Sequence, residues 1–281
     1  MVEFQNLIKS VHPGIFIHSV YIDPDLKEDQ RASFYGNVDE QVELVADQLA
    51  NVTELENGFD ALGFSQGESR GQFLRAYVER HNAPPVRNLI TFGSQHMGIS
   101  DIPLCRPLDL LCLAARAAAR RGVYGEWAQE HLVQAQYFRD PTQLPRYLSS
   151  NRFLTSLNNE LPATREPDYA RRLAELDTFV MVLFEKDRTV VPKESAWFGS
   201  YAVPEPDEES IVGGMNAERE EKKVVSMREQ PLYTEDWIGL RTLDEQGKVV
   251  FATCAGEHMQ VDRACWEPIV RAYVGAPLVG A

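Results

Sequence analysis

Phe59-Asp-Ala-Leu-Gly-Phe-Ser-Gln-Gly67 is the stretch on which the fold turns. Asn57-Gly58 marks a turn before it, and the short apolar run 59–64 has the length of a buried parallel strand. Residues 72–80 then carry a helical pattern, stopped by Asn82 and Pro84-Pro85. Between strand and helix stands Gly63-Phe-Ser65-Gln-Gly67, a GxSxG sequence. In that setting the glycines let the chain turn so sharply that the serine hydroxyl stands exposed at the strand end. The backbone N–H of the next residue, Gln66, is then aimed at a developing oxyanion. A second GxSxG, Gly67-Glu-Ser69-Arg-Gly71, overlaps the first, but Ser69 falls inside the first helical turn. Ser65 is therefore the candidate nucleophile.

Working outward, Phe4, Leu7, Ile8 and Val11 recur at helical spacing, and His12-Pro-Gly14 ends that helix. Residues 15–22 predict a buried strand, followed by a polar loop to about Ala32. Val38, Val42, Val45, Leu49 and Val52 mark a second amphipathic helix. Further strands are expected at 86–93, 178–184 and 248–253, and a closing helix at 261–274. Residues 100–175 predict helices interrupted by prolines, an insertion over the strand ends, and the charged stretch 204–223 predicts an exposed loop. Alternating helices and apolar strands imply one α/β domain over 1–281, a mostly parallel sheet flanked by helices.

The composition narrows the functions available. A formal net charge of −14 argues against nucleic-acid binding and against docking on an anionic membrane surface. No stretch approaches the ~20 apolar residues of a membrane span, and Met1 leads directly into Val-Glu-Phe-Gln-Asn with no signal peptide visible. Cys105, Cys112, Cys254 and Cys265 show neither a CxxC pair nor zinc spacing, so no metal site is expected. No GxGxxG follows a strand, and no cofactor is implied.

A serine hydroxyl needs a base, normally a histidine oriented by a carboxylate. In a strand–GxSxG–helix fold the chain order is Ser, acid, His. Of six histidines, only His258 follows the strand at 178–184, whose C-terminal end should present the acid. His96 precedes any plausible acid and is expected to be a structural or pocket residue. Glu185 and Asp187 both follow the strand. Asp187 lies beyond the apolar run, where a loop can turn its carboxylate toward the histidine, and Glu185 is expected to be solvated.

These residues sit in surroundings that resemble palmitoyl-protein thioesterases, an α/β-hydrolase family. The similar stretches include Gly71-Gln-Phe-Leu-Arg75, Gly93-Ser-Gln-His-Met-Gly98, Glu130-His-Leu-Val-Gln-Ala-Gln-Tyr-Phe-Arg-Asp-Pro141, Leu232-Tyr-Thr-Glu-Asp-Trp-Ile-Gly-Leu240 and Gly256-Glu-His-Met-Gln260. They span nearly the whole chain in one register. The resemblance implies Ser65, Asp187 and His258 as nucleophile, acid and base, and S-acylated proteins as substrates. It also implies a lysosomal, vacuolar or secreted location, and a groove for the fatty chain lined by 100–175. Cys105 and Cys112 match one disulfide of the family approximately, and Asn51-Val-Thr53 is a glycosylation sequon whose use depends on the same compartment.

Three departures set further expectations. The family's strand and His-Gly loop before the first helix, which supply an oxyanion donor, have no counterpart here. The chain as written is thus expected to be a poor catalyst. Glu68-Ser69-Arg70 looks like an insertion, accommodated by a local bulge, and some of the family's cysteines are missing. Against the thioesterase reading stand a different esterase or lipase on the same fold, and a non-catalytic hydrolase relic.

Overall fold

A computed structural model describes residues 2–65, 71–101, 122–204 and 222–275. Its centre is a parallel sheet of four strands in the order β1 (Phe59–Phe64), β2 (Val86–Phe92), β3 (Thr178–Phe184) and β6 (Val249–Cys254). Two short strands, β4 (Ser200–Tyr201) and β5 (Val224–Val225), pair separately as an antiparallel ribbon. The register aligns Phe64 with Phe92, Phe92 with Val182, and Phe184 with Cys254, so all four strands end at one edge of the molecule.

Side chains alternate across the two faces of the sheet, as a period of two requires. Leu89, Phe179 and Met181 join Leu49, Leu74 and Tyr77 in one core. Ile90, Phe92, Val180 and Val182 join Ile8, Trp266 and Val270 in the other. Helices Val38–Ala50 and Gly71–Arg80 contribute to the first core, and Val2–Val11 and Arg263–Tyr273 to the second. Burial of both faces is why β2 and β3 read as continuous apolar runs in the sequence.

Residues 122–175, the described part of the expected insertion, are helical: Glu126–His131, Val133–Gln136, Leu144–Ser150, Phe153–Leu157 and Pro167–Ala174. Gln136 fastens this region to the domain. Its Oε1 accepts from the Val38 N–H at 2.8 Å, and its Nε2 donates to Gly36 O at 2.8 Å. The charged segment 205–221 lies outside the described residues.

Two expectations are corrected. Residues 15–22 do not form a strand. A strand exists only by pairing, and the neighbouring edge strand β1 is separated from 15–20 by a groove of about 290 Å³ lined by Ile15, Ile17, Val20, Leu49, Leu62 and Phe64. Gln48 takes the place of a ladder partner, accepting from the Tyr21 N–H at 3.2 Å and donating to Tyr21 O at 3.4 Å. The loop expected up to Ala32 contains a helix, Leu26–Ala32, capped by Asp25, whose carboxylate accepts from the Lys27 and Glu28 N–H groups. None of its residues is buried, so no apolar period announces it.

Candidate active site

Ser65 follows β1 with φ at 41°, a left-handed conformation that a side-chain-bearing residue adopts at a cost. Its N–H donates to Phe92 O at 2.6 Å, which ties the turn to the end of β2. Gln66 and Ser69 lie outside the described residues.

Asp187 and His258 arrive from the other half of the sheet. The β3–β6 pairing continues past the strand ends: Glu185 N–H donates to Cys254 O at 2.9 Å, and Lys186 N–H to Gly256 O at 3.1 Å. The two loops therefore leave the sheet side by side. Asp187 Oδ1 accepts from the Thr189 and Val190 N–H groups at 2.8 and 3.0 Å, which fixes the carboxylate and leaves Oδ2 free to face the histidine. His258 Nδ1 lies 2.6 Å from Asp187 Oδ2, and its Nε2 lies 2.6 Å from Ser65 Oγ. With its proton on Nδ1, the imidazole donates to Asp187 and accepts from the Ser65 hydroxyl. The side chains of His258 and Asp187 are 14% and 2% exposed, so water competes little for the pair.

Gly93, between the two halves, is a residue that the sequence reading passed over. It has φ of +60°, and a Cβ there would stand 2.9 Å from the Phe184 ring and 3.2 Å from His258 Cε1. Only glycine fits both the backbone and the space. The available signal was the glycine directly after an apolar strand.

Glu185 is exposed, as expected. His96 is fully buried and takes no part in the Ser65–His258–Asp187 chain. Its Nε2 lies 3.0 Å from Thr91 Oγ1, and its ring stacks on Phe198 at 4.7 Å. Burial, with Arg75 adding to it, holds its pKa well below the usual imidazole value, so it is neutral. Arg75 binds His96 O and Asn158 Oδ1 and forms a buried ion pair with Glu79 at 2.7 Å. It thus locks the helix after the serine turn to the β2 loop and to the insertion. Burial pushes the Glu79 carboxyl up to about 7 against the opposing pull of Arg75.

Cys105 and Cys112 lie outside the described residues. Cys254 and Cys265 form a disulfide that their spacing did not announce. Asn51 is exposed at the end of the Val38–Ala50 helix. Among the described residues there is no cluster of metal-binding side chains and no helix long and apolar enough to cross a membrane.

This chain is 36% identical to palmitoyl-protein thioesterase 1 of Caenorhabditis elegans over 260 residues, covering 92% of this chain and 80% of that protein. It is 36% identical over 258 residues to a palmitoyl-protein thioesterase–dolichyl pyrophosphate phosphatase fusion of Schizosaccharomyces pombe, covering 92% of this chain and 38% of the fusion. A lysosomal thioesterase homolog of Drosophila melanogaster is 26% identical over 249 residues, 86% of this chain and 75% of the relative. The family model for palmitoyl protein thioesterase matches residues 1–258, a span that begins before the serine turn and includes His258. With a parallel sheet flanked by helices and the serine at a strand-to-helix turn, the chain has the α/β-hydrolase fold and belongs to the palmitoyl protein thioesterase family of hydrolytic enzymes.

Proposed function

We propose that this enzyme hydrolyses long-chain fatty acyl thioesters on protein cysteines through an acyl-enzyme on Ser65. The observation that carries this reading is the continuous hydrogen-bonded chain from Asp187 through His258 to Ser65 Oγ, 2.6 Å at each step. His258 takes the Ser65 proton as Oγ attacks the thioester carbonyl. The backbone N–H of Gln66, assigned by its place after the serine, helps hold the tetrahedral oxyanion. Collapse breaks the C–S bond. The cysteine thiolate, with a usual thiol pKa of about 8.5, leaves with less proton donation than an alkoxide needs. The departing sulfur takes up the proton held by His258, and the neutral imidazole then activates water, which attacks the acyl-serine; the proton passes back to Ser65 Oγ as the fatty acid leaves. Asp187 holds the imidazole in orientation and stabilises the imidazolium.

The segment 100–175 is proposed to line the acyl groove, where each buried methylene contributes about 0.8 kcal/mol. S-acylated proteins are the proposed substrates and the lysosome the proposed compartment, in keeping with the lysosomal thioesterases among the relatives. In such a compartment Asn51 would be open to glycosylation and Cys105–Cys112 to pairing. The deciding experiment sets palmitoyl-thioester turnover beside that of the matching oxygen ester, with a fluorophosphonate probe reporting an activated Ser65. Thioester preference with Ser65 labelling is expected. Labelling with oxygen-ester preference would reassign the substrate, and absent labelling would exclude a serine nucleophile.

A further inference from the structure

Cys254 is the last residue of β6, and Cys265 lies in the first turn of the Arg263–Tyr273 helix. Their disulfide spans 11 residues, with Cα atoms 5.1 Å apart, and closes a loop that contains His258. At its near end the loop is held by the sheet, through Cys254 O and Gly256 O, which accept from Glu185 and Lys186. Within it, Glu257 N–H donates to Gln260 Oε1 and Gln260 N–H to Glu257 O. Gly256 lies so close to Gln260 that a Cβ would stand 2.6 Å from the Gln260 Cβ, and Met259 takes a φ of 65°. At its far end the covalent anchor is the disulfide, and both cysteines are buried.

We infer that the Cys254–Cys265 disulfide positions His258: it holds the loop so that the imidazole stays between Asp187 and Ser65. A base acts only while it lies within hydrogen-bond reach of the hydroxyl, and misplacement by about 1 Å can cost ~100-fold in rate. Opening the loop widens the space available to His258 while the strands that frame the site keep their own hydrogen bonds. The cysteines touch no reacting atom and act through His258. A dithiol reductant opens the bond by thiol–disulfide exchange, leaving Cys254 and Cys265 as two thiols and the reductant as its cyclic disulfide. Activity is thereby tied to the oxidised state. The inference rests on the proposed Ser65–His258 chemistry, but its first test does not.

That test is hydrogen exchange on the full chain, oxidised and then reduced with dithiothreitol, and on the Cys254→Ser/Cys265→Ser variant. Exchange at 255–262 should rise at least tenfold while 178–184 is unchanged. Unchanged exchange at 255–262 overturns the inference, and so does a reduced or variant protein that is unfolded at the assay temperature, because the bond would then hold the domain rather than the loop. The second readout is thioester turnover with fluorophosphonate labelling of Ser65. In the folded reduced protein kcat and labelling rate should fall tenfold or more with KM unchanged, and reoxidation should restore them. An unchanged kcat, or a rise in KM alone, also overturns it. If the oxidised protein shows neither turnover nor labelling while the exchange difference stands, the catalytic reading has failed and the structural one has not.

Discussion

Asp187 and His258 meet because Phe184 and Cys254 are direct partners in the β3–β6 ladder, and the two residues stand three and four positions beyond them. Two adjacent parallel strands carry their next loops to the same place, and the bonds from Glu185 and Lys186 keep those loops together past the strand ends. Asp187→Asn should leave the fold intact and lower kcat about 10³–10⁴-fold, since an amide no longer selects the tautomer with its proton on Nδ1. Steady-state thioester kinetics with a thermal melt check this, and activity within tenfold of the parent would remove Asp187 from its role.

Ser65→Ala should abolish turnover and probe labelling, whereas Ser69→Ala should keep a substantial part of both. Ser65 is the residue at the strand end with φ of 41° and Oγ within 2.6 Å of His258 Nε2. Loss of labelling in Ser69→Ala alone, with the fold preserved, would transfer the assignment to Ser69.

Gly93→Ala introduces a Cβ that must push against Phe184 and His258, in a conformation that alanine disfavours. A stability loss of about 1–3 kcal/mol and a larger fractional loss of kcat are expected. Denaturant melts and kinetics measured on one preparation separate the two. A variant with parental kcat would show that the ring has room to yield.

Glu79 carries a pH prediction. Its folded-state pKa of about 7 lies above the ordinary value of 4.5, so the protonated carboxyl favours the folded state. Its contribution is full below about pH 4.5 and is lost as the pH rises through about 7, by ~1–3 kcal/mol. Neutral His96 acts in the opposite sense, losing stability as the pH falls below the ordinary imidazole range. Glu79→Gln should leave only the His96 effect, so the variant should lose more stability than the parent between pH 7 and pH 5. Parallel stability curves for the two proteins would argue that Glu79 stays ionised against Arg75.

Among the described residues β1 is an edge strand, beside a groove. Phe59 and Ser65 donate toward β2, so alternation turns the N–H groups of Asp60, Leu62 and Phe64 away from it. Their amides should exchange at least tenfold faster than those of Leu89 and Ile90 in the sheet interior. Equal protection would mean that the groove is filled in solution.

The residues of β1, β2, β3 and β6 and of the helices packed on them were legible within one or two positions, because a strand buried on both faces writes itself as an uninterrupted apolar run. Chain order singled out His258, and the strand-to-helix setting singled out Ser65, since both are local or topological properties. Other features had no local signature. Residues 15–22 have a strand's composition, but composition cannot supply the neighbour that a ladder needs, and the fold leaves a groove there. The Leu26–Ala32 helix is all surface and carries no period. The Cys254–Cys265 bond depends on where β6 and the last helix come to rest, the fit of Gly93 on a ring 165 residues away, and the neutrality of His96 on its burial. Sequence by itself determined which groups are available and which strand ends bear them. Distance, burial and mutual orientation arise only when the sheet register closes, because each depends on residues far apart in the chain.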